Sequence, residues 1–136
     1  MSLKKVNKHN ICNLYYDNVI KNFSKKNLFY IYNQNKFSYK FASYKVKKFL
    51  HFFLKQPKKK LNIVVYSDKS LELYSLIQAI FLSNSVFIPI SKNTPSNRII
   101  DMLADMKIDY FFYDNFTDKK TSKIIKKKFK IRKIKT

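Results

Sequence analysis

Three short apolar runs, each flanked by longer amphipathic stretches, constrain this chain more than any other feature. Residues 61–66 read Leu-Asn-Ile-Val-Val-Tyr, Val86–Ile90 read Val-Phe-Ile-Pro-Ile, and Tyr110–Tyr113 read Tyr-Phe-Phe-Tyr. Runs this short and this apolar suit strands buried on both faces. The stretches between them follow a helical period. Ala42, Val46, Phe49, Leu50 and Phe53 form one stripe, with Ser38 placed as its N-cap. Leu73, Leu76, Ile77, Ile80 and Phe81 form a second, and Ile99, Met102, Leu103 and Met106 a third. Strands that alternate with helices need crossover connections. The expected fold class is therefore α/β: alternating strands and helices, with a mostly parallel sheet covered by helices on both faces.

Local signals punctuate this pattern. Leu28–Tyr32 has strand character, and residues 33–36 form a polar turn. Pro57, within 56–60, ends the first helix. Ser67 and Asp68 offer caps for the second, with Glu72 near its positive end. Thr94-Pro95 opens the third, Thr as cap and Pro at the first helical position. Residues 117–128 are weakly helical, and 129–134 alternate apolar and basic, as a half-exposed strand would. Ile11, Leu14, Tyr15, Val19 and Phe23 fit a short lead helix. The expected organisation is an N-terminal extension with its lead helix over 1–27, and a partial α/β domain over 28–136.

The sequence of 136 residues contains no glycine. That excludes a Walker A loop, a GxGxxG turn, a G-x-S-x-G elbow and an EF-hand loop, all of which need glycine for positive φ or close approach to a ligand. Lys and Arg number 29 against 8 acidic residues, for a net charge of +21. Only Arg98 and Arg132 are arginines. Arg is the better reader of phosphates and bases, so the excess of Lys points to drift in residue usage more than to a nucleic-acid surface. Non-specific polyanion binding at low salt follows from charge alone. Cys12 is the sole cysteine, and the polar, basic start is not a signal peptide. A cytoplasmic location and no membrane span are the expectations.

Candidate chemistry is sparse. His9 and Cys12 are three apart, too few ligands for a structural zinc site. His51 lies among aromatics in the first strong helix, as a surface or packed residue. Asp101 and Asp105 are four apart, with Asp109 close behind, opposite the apolar face and so toward solvent. Lys45, Lys47 and Lys48 form a basic cluster of the kind this composition produces anyway. No catalytic, cofactor-binding or metal residue is assigned.

Residues 28–114 resemble the N-terminal part of the adenylate-forming (AMP-binding) superfamily of acyl-CoA synthetases and amino-acid adenylation domains. Phe37-Ser38-Tyr39-Lys40-Phe41 looks like its first core motif, Leu-Thr/Ser-Tyr-x-Glu-Leu. Residues 61–67, followed by Ser70-Leu71-Glu72, resemble its strand-to-helix segment. Residues 79–90, then Thr94-Pro95-Ser96-Asn97-Arg98, resemble the second core motif and the Pro-x-x-Arg helix start. Pro89 and Arg98 match. Asn84, Ser91 and Lys40 stand where the family has Gly, Asp and Glu. Asn is the next-best residue for the left-handed role of that glycine.

The resemblance implies a partial N-terminal subdomain of an AMP-binding ligase that activates a carboxylate with ATP. These residues end before the phosphate loop and are expected to be inactive alone. ATP and Mg are implied for a complete member only, and the expected partner is the remaining part of a split enzyme. The alternative is a small basic α/β module that binds nucleic acid or an anionic surface.

Overall fold

A computed structural model describes residues 28–32 and 34–134. The lead helix over 11–23, His9 and Cys12 lie outside the described residues.

The described chain opens with a hairpin, β1 (Leu28–Tyr32) and β2 (Asn35–Ser38), paired antiparallel. The strand resumes at Asn35, so the polar turn is shorter than the 33–36 expected. Gln34, at φ 66°, supplies the left-handed residue that lets so short a connection reverse the chain. Helix α1 (Tyr39–Leu54) follows directly. Ser38 caps it as expected, its Oγ accepting from the Phe41 N–H at 3.3 Å.

Then come β3 (Asn62–Tyr66), α2 (Leu71–Leu82), β4 (Val86–Ile90), α3 (Ser96–Ala104), β5 (Tyr110–Tyr113), α4 (Lys119–Lys128) and β6 (Ile131–Lys133). The last four strands form one sheet in the order β4-β3-β5-β6, and every pairing is parallel. The α/β architecture expected from the apolar runs is the one observed.

Period-2 alternation distributes the core onto both faces. Ile63, Val65, Tyr110 and Phe112 pack under α1 and α2, against Val46, Leu50, Phe53, Leu76 and Ile80. Val64, Tyr66 and Phe111 face the other way, against Ile99 and Leu103 of α3 and Ile125 of α4. Three layers result, with the sheet in the middle. β4 is an edge strand, which accommodates Pro89 and its missing donor. β6 is the other edge, and most of α4 is solvated, as the alternating C-terminal pattern implies.

Four local expectations need correction. Helix α2 is capped by Ser70, whose Oγ accepts from the Leu73 N–H at 3.1 Å, and not by Ser67 or Asp68. Its buried face is Leu71, Ser75, Leu76, Ala79 and Ile80, while Phe81 is exposed. In α3, Pro95 holds the cap position, no side chain caps the helix, and Ser96 is the first helical residue. Ile99 and Leu103 are buried against the central strands, but Met102 is exposed, because so short a helix buries only a narrow stripe, and Met106, beyond the end of the helix at Ala104, is exposed too.

The turn after α2 carries the most informative detail. Asn84 has φ 56°, the left-handed conformation expected at the position of the family glycine. The Ser85 N–H donates to the Ile80 carbonyl and the Asn84 N–H to the Phe81 carbonyl, both at 3.0 Å. This pair of bonds is the Schellman C-cap. It turns the chain so that the Val86 N–H meets the Leu61 carbonyl at 2.7 Å and β4 enters the sheet.

Candidate functional site

Because the four sheet strands are parallel, their carboxyl ends share one edge. From β3 the chain leaves to α2 on one face, whereas from β5 it leaves to α4 on the other. The gap between β3 and β5 is therefore the topological switch point, where open α/β sheets bind ligands.

Here Asp114 fills it. This residue follows β5, and its carboxylate accepts from the Asp68 N–H at 2.8 Å, the Ser67 hydroxyl at 3.1 Å and the Lys92 ammonium at 2.6 Å. The Asn115 N–H also donates to it. Burial pushes the Asp114 carboxyl up, but the Lys92 bond and the two backbone N–H bonds outweigh it and hold it below the ordinary carboxylate range. Lys92 comes from the loop after β4. Its ammonium also donates to the Asn115 carbonyl and lies 4.7 Å from the centre of the Tyr66 ring. The buried Tyr66 hydroxyl pairs with Thr117 at 2.8 Å. One carboxylate thus ties together the loops after β3, β4 and β5.

A second carboxylate works in the same way nearby. Asp118 caps α4, accepting at 2.7 Å from both the N–H and the hydroxyl of Thr121. The Ser96 hydroxyl donates to it from the start of α3. The Ser96 bond, then the two from Thr121, lower its pKa to about 2. Beside it, an open cleft of about 560 Å³ runs along α4 beyond the ends of β5 and β6.

The candidates from sequence are not brought together. His51 is exposed on α1, and Asp101 and Asp105 are exposed on or beside α3. Asp109 lies at the opposite, amino edge of the sheet, accepting from Lys58 at 2.5 Å and from the Asn62 N–H at 2.8 Å. Burial raises its pKa, and these bonds overcome that and lower it. Of the basic cluster, Lys45 is a structural partner of Glu72, joining α1 to α2, while Lys48 is exposed. Sequence reasoning missed Asp114, Lys92 and Asp118. The available signal was position: each lies within a few residues of the carboxyl end of an apolar run.

The described residues form no ready-made metal centre. The chain has no glycine, and no group of three or more His, Cys, Asp or Glu side chains among the described residues could hold a metal ion. Asp114 and Asp118 are saturated by donors from the chain itself. No helix among the described residues is long and apolar enough to cross a membrane.

No protein-family model matches the sequence, and no curated protein matches it. Solved structures do match in fold. The N-terminal subdomain of Klebsiella oxytoca NpsA, in complex with 3-hydroxybenzoyl-AMSN, superposes with a TM-score of 0.67 at 18% identity, over 90% of this chain and 29% of that one. An artificially fused NpsA–ThdA adenylation–PCP di-domain from the same organism gives 0.68 at 17% identity, over 90% and 22%. The O-succinylbenzoate coenzyme A synthetase MenE of Bacillus subtilis, in complex with AMP, gives 0.66 at 12% identity, over 85% and 30%. This chain spans less than a third of each of those chains. Its three-layer parallel α/β fold is the one found within the N-terminal subdomain of adenylate-forming enzymes.

Proposed function

We propose that this chain is the N-terminal portion of an adenylate-forming ligase. In that reaction a carboxylate oxygen attacks the α-phosphorus of ATP, pyrophosphate leaves, and the acyl-adenylate passes its acyl group to a thiol. The observation that carries the reading is the turn into β4. Asn84 holds the left-handed conformation at the glycine position of the resembled motif, Pro89 follows on the edge strand, and Arg98 follows on α3 at the spacing of that motif.

In this reading the residues supply scaffold, not chemistry. The carboxylates at the switch point are consumed by self-contacts, and a chain without glycine has no glycine-rich phosphate loop. The partner is the remainder of the enzyme, as continuing polypeptide or as a separate subunit. The DNA immediately 3′ of this sequence tests the reading. An open frame encoding a Ser/Thr-Gly-rich loop and the later ligase motifs supports it, and the lack of any such frame contradicts the split-enzyme form.

A second reading, a basic module for nucleic acid or an anionic surface, draws support from the exposed lysines of α4 and β6. It predicts binding that persists near physiological salt, whereas simple charge attraction falls steeply as salt rises.

A further inference from the structure

We propose that the cleft along α4 is a binding site for a linear oligophosphate, a chain of two or more linked phosphates. The inference stands on these residues whether or not the ligase reading holds.

Four lysines line the cleft from two elements. Lys119, Lys123 and Lys126 project from α4 at spacings of four and three residues, so they share one helix face. Lys133 reaches it from β6. All four are exposed, and among the described residues none takes part in an ion pair; the ion pairs there use Lys45, Lys58 and Lys92. Among the described residues the one carboxylate lining the cleft is Asp118, which accepts from Ser96 and Thr121. Those donors are neutral and keep Asp118 ionised, so the cleft carries four ammonium groups against one carboxylate and stays net positive.

The helix end is not the source of this site. Asp118 caps the first turn, so recognition rests on the ammonium groups. The geometry favours an extended anion. Lys119 and Lys126 are separated by seven residues, roughly 10 Å along the helix axis, more than a single phosphate spans. Tyr113 and Phe116 form the apolar wall with their rings stacked on each other at 4.2 Å, and Phe116 also stacks on Tyr66. Phe116 is stacked on by both Tyr113 and Tyr66, which leaves the lysines as the main groups that read a ligand. The lysine spacing also places like charges one turn apart, which destabilises a helix. A bound anion relieves that repulsion and couples occupancy to helix stability.

The test is calorimetric titration of the full chain with inorganic tripolyphosphate, inorganic phosphate and metal-free ATP at near-physiological salt, paired with thermal melts. Expected results are saturable binding of tripolyphosphate, comparable binding of ATP, much weaker binding of inorganic phosphate, and a melting temperature raised by tripolyphosphate. Lys123→Gln/Lys126→Gln should weaken tripolyphosphate binding about tenfold, and the equal charge change Lys40→Gln/Lys48→Gln, on α1, by less than about twofold. Equal loss in both variants would reduce the effect to net charge and overturn the site. So would the absence of tripolyphosphate binding, or binding of ATP without tripolyphosphate.

Discussion

Replacing Asp114 by Ala should destabilise the chain more than any other single change at the carboxyl edge of the sheet. Its carboxylate accepts four hydrogen bonds and joins the loops after three strands. The Asp114 and Lys92 side chains are only 12% and 15% exposed, so solvent screens the pair weakly. Removing one partner of a fully buried pair costs roughly 3–5 kcal/mol. Here Lys92 would keep the Asn115 carbonyl and the Tyr66 ring, which lowers the expectation to about 2–3 kcal/mol. For a domain of this size that is a fall in melting temperature of roughly 10 °C. Asp114→Asn keeps an acceptor oxygen and loses the charge, for about 1–2 kcal/mol. The assay is urea and thermal unfolding of both variants and of Asp114→Ala/Lys92→Met. The double variant removes the stranded ammonium and should recover about 1 kcal/mol relative to Asp114→Ala. A melting temperature for Asp114→Ala within about 2 °C of the parent, with no coupling to Lys92, would refute the keystone role.

The remaining expectations are briefer. Asn84→Gly should stabilise by about 0.5–1 kcal/mol, and Asn84→Val should destabilise by about 1–2 kcal/mol, in chemical denaturation, because φ 56° costs a β-branched residue most. Asp118, with a folded pKa of about 2 against an ordinary 3.8, contributes stability that is complete above pH 4 and is lost as pH falls toward 2. Asp118→Asn should flatten acid unfolding over that window, and NMR titration of the parent should show the depressed value. Phe111→Ala empties a fully buried position on a central strand, in contact with Phe116 and Phe129. It should cost about 3–5 kcal/mol, enough to abolish a cooperative melt.

Much of the fold is legible in the sequence because burial on both faces leaves a strong mark. Residues 62–66, 86–90 and 110–113 are apolar at almost every position, and the strand bounds follow closely. Helix interiors are equally readable, since Ala42, Val46, Leu50 and Phe53 recur at the helical period. Helix starts are less so. Ser67, Asp68 and Ser70 are all competent caps, and the choice of Ser70 goes with Asp114, which claims the Ser67 hydroxyl and the Asp68 N–H from the loop after β5. The exposure of Met102 and Met106 likewise reflects how little of α3 meets the sheet, which no spacing encodes. The carboxyl-edge web was hidden for the same reason. Asp114, Lys92 and Ser67 are distant in sequence, and only the parallel strand order brings them to one place. Asn84 is the exception, since a left-handed helix end is a local demand and the local residue answers it.

The claim that these residues are the scaffold portion of an adenylate-forming ligase is tested most directly by carboxylate-dependent ATP–pyrophosphate exchange. The assay compares the isolated 136-residue chain with the assembly purified from its source cells through a tag on this chain. The account predicts no exchange by the isolated chain. It predicts exchange by the assembly, together with polypeptide bearing a Ser/Thr-Gly-rich loop identified by mass spectrometry. Exchange catalysed by the isolated chain, or an assembly with neither exchange nor any such polypeptide, would contradict it.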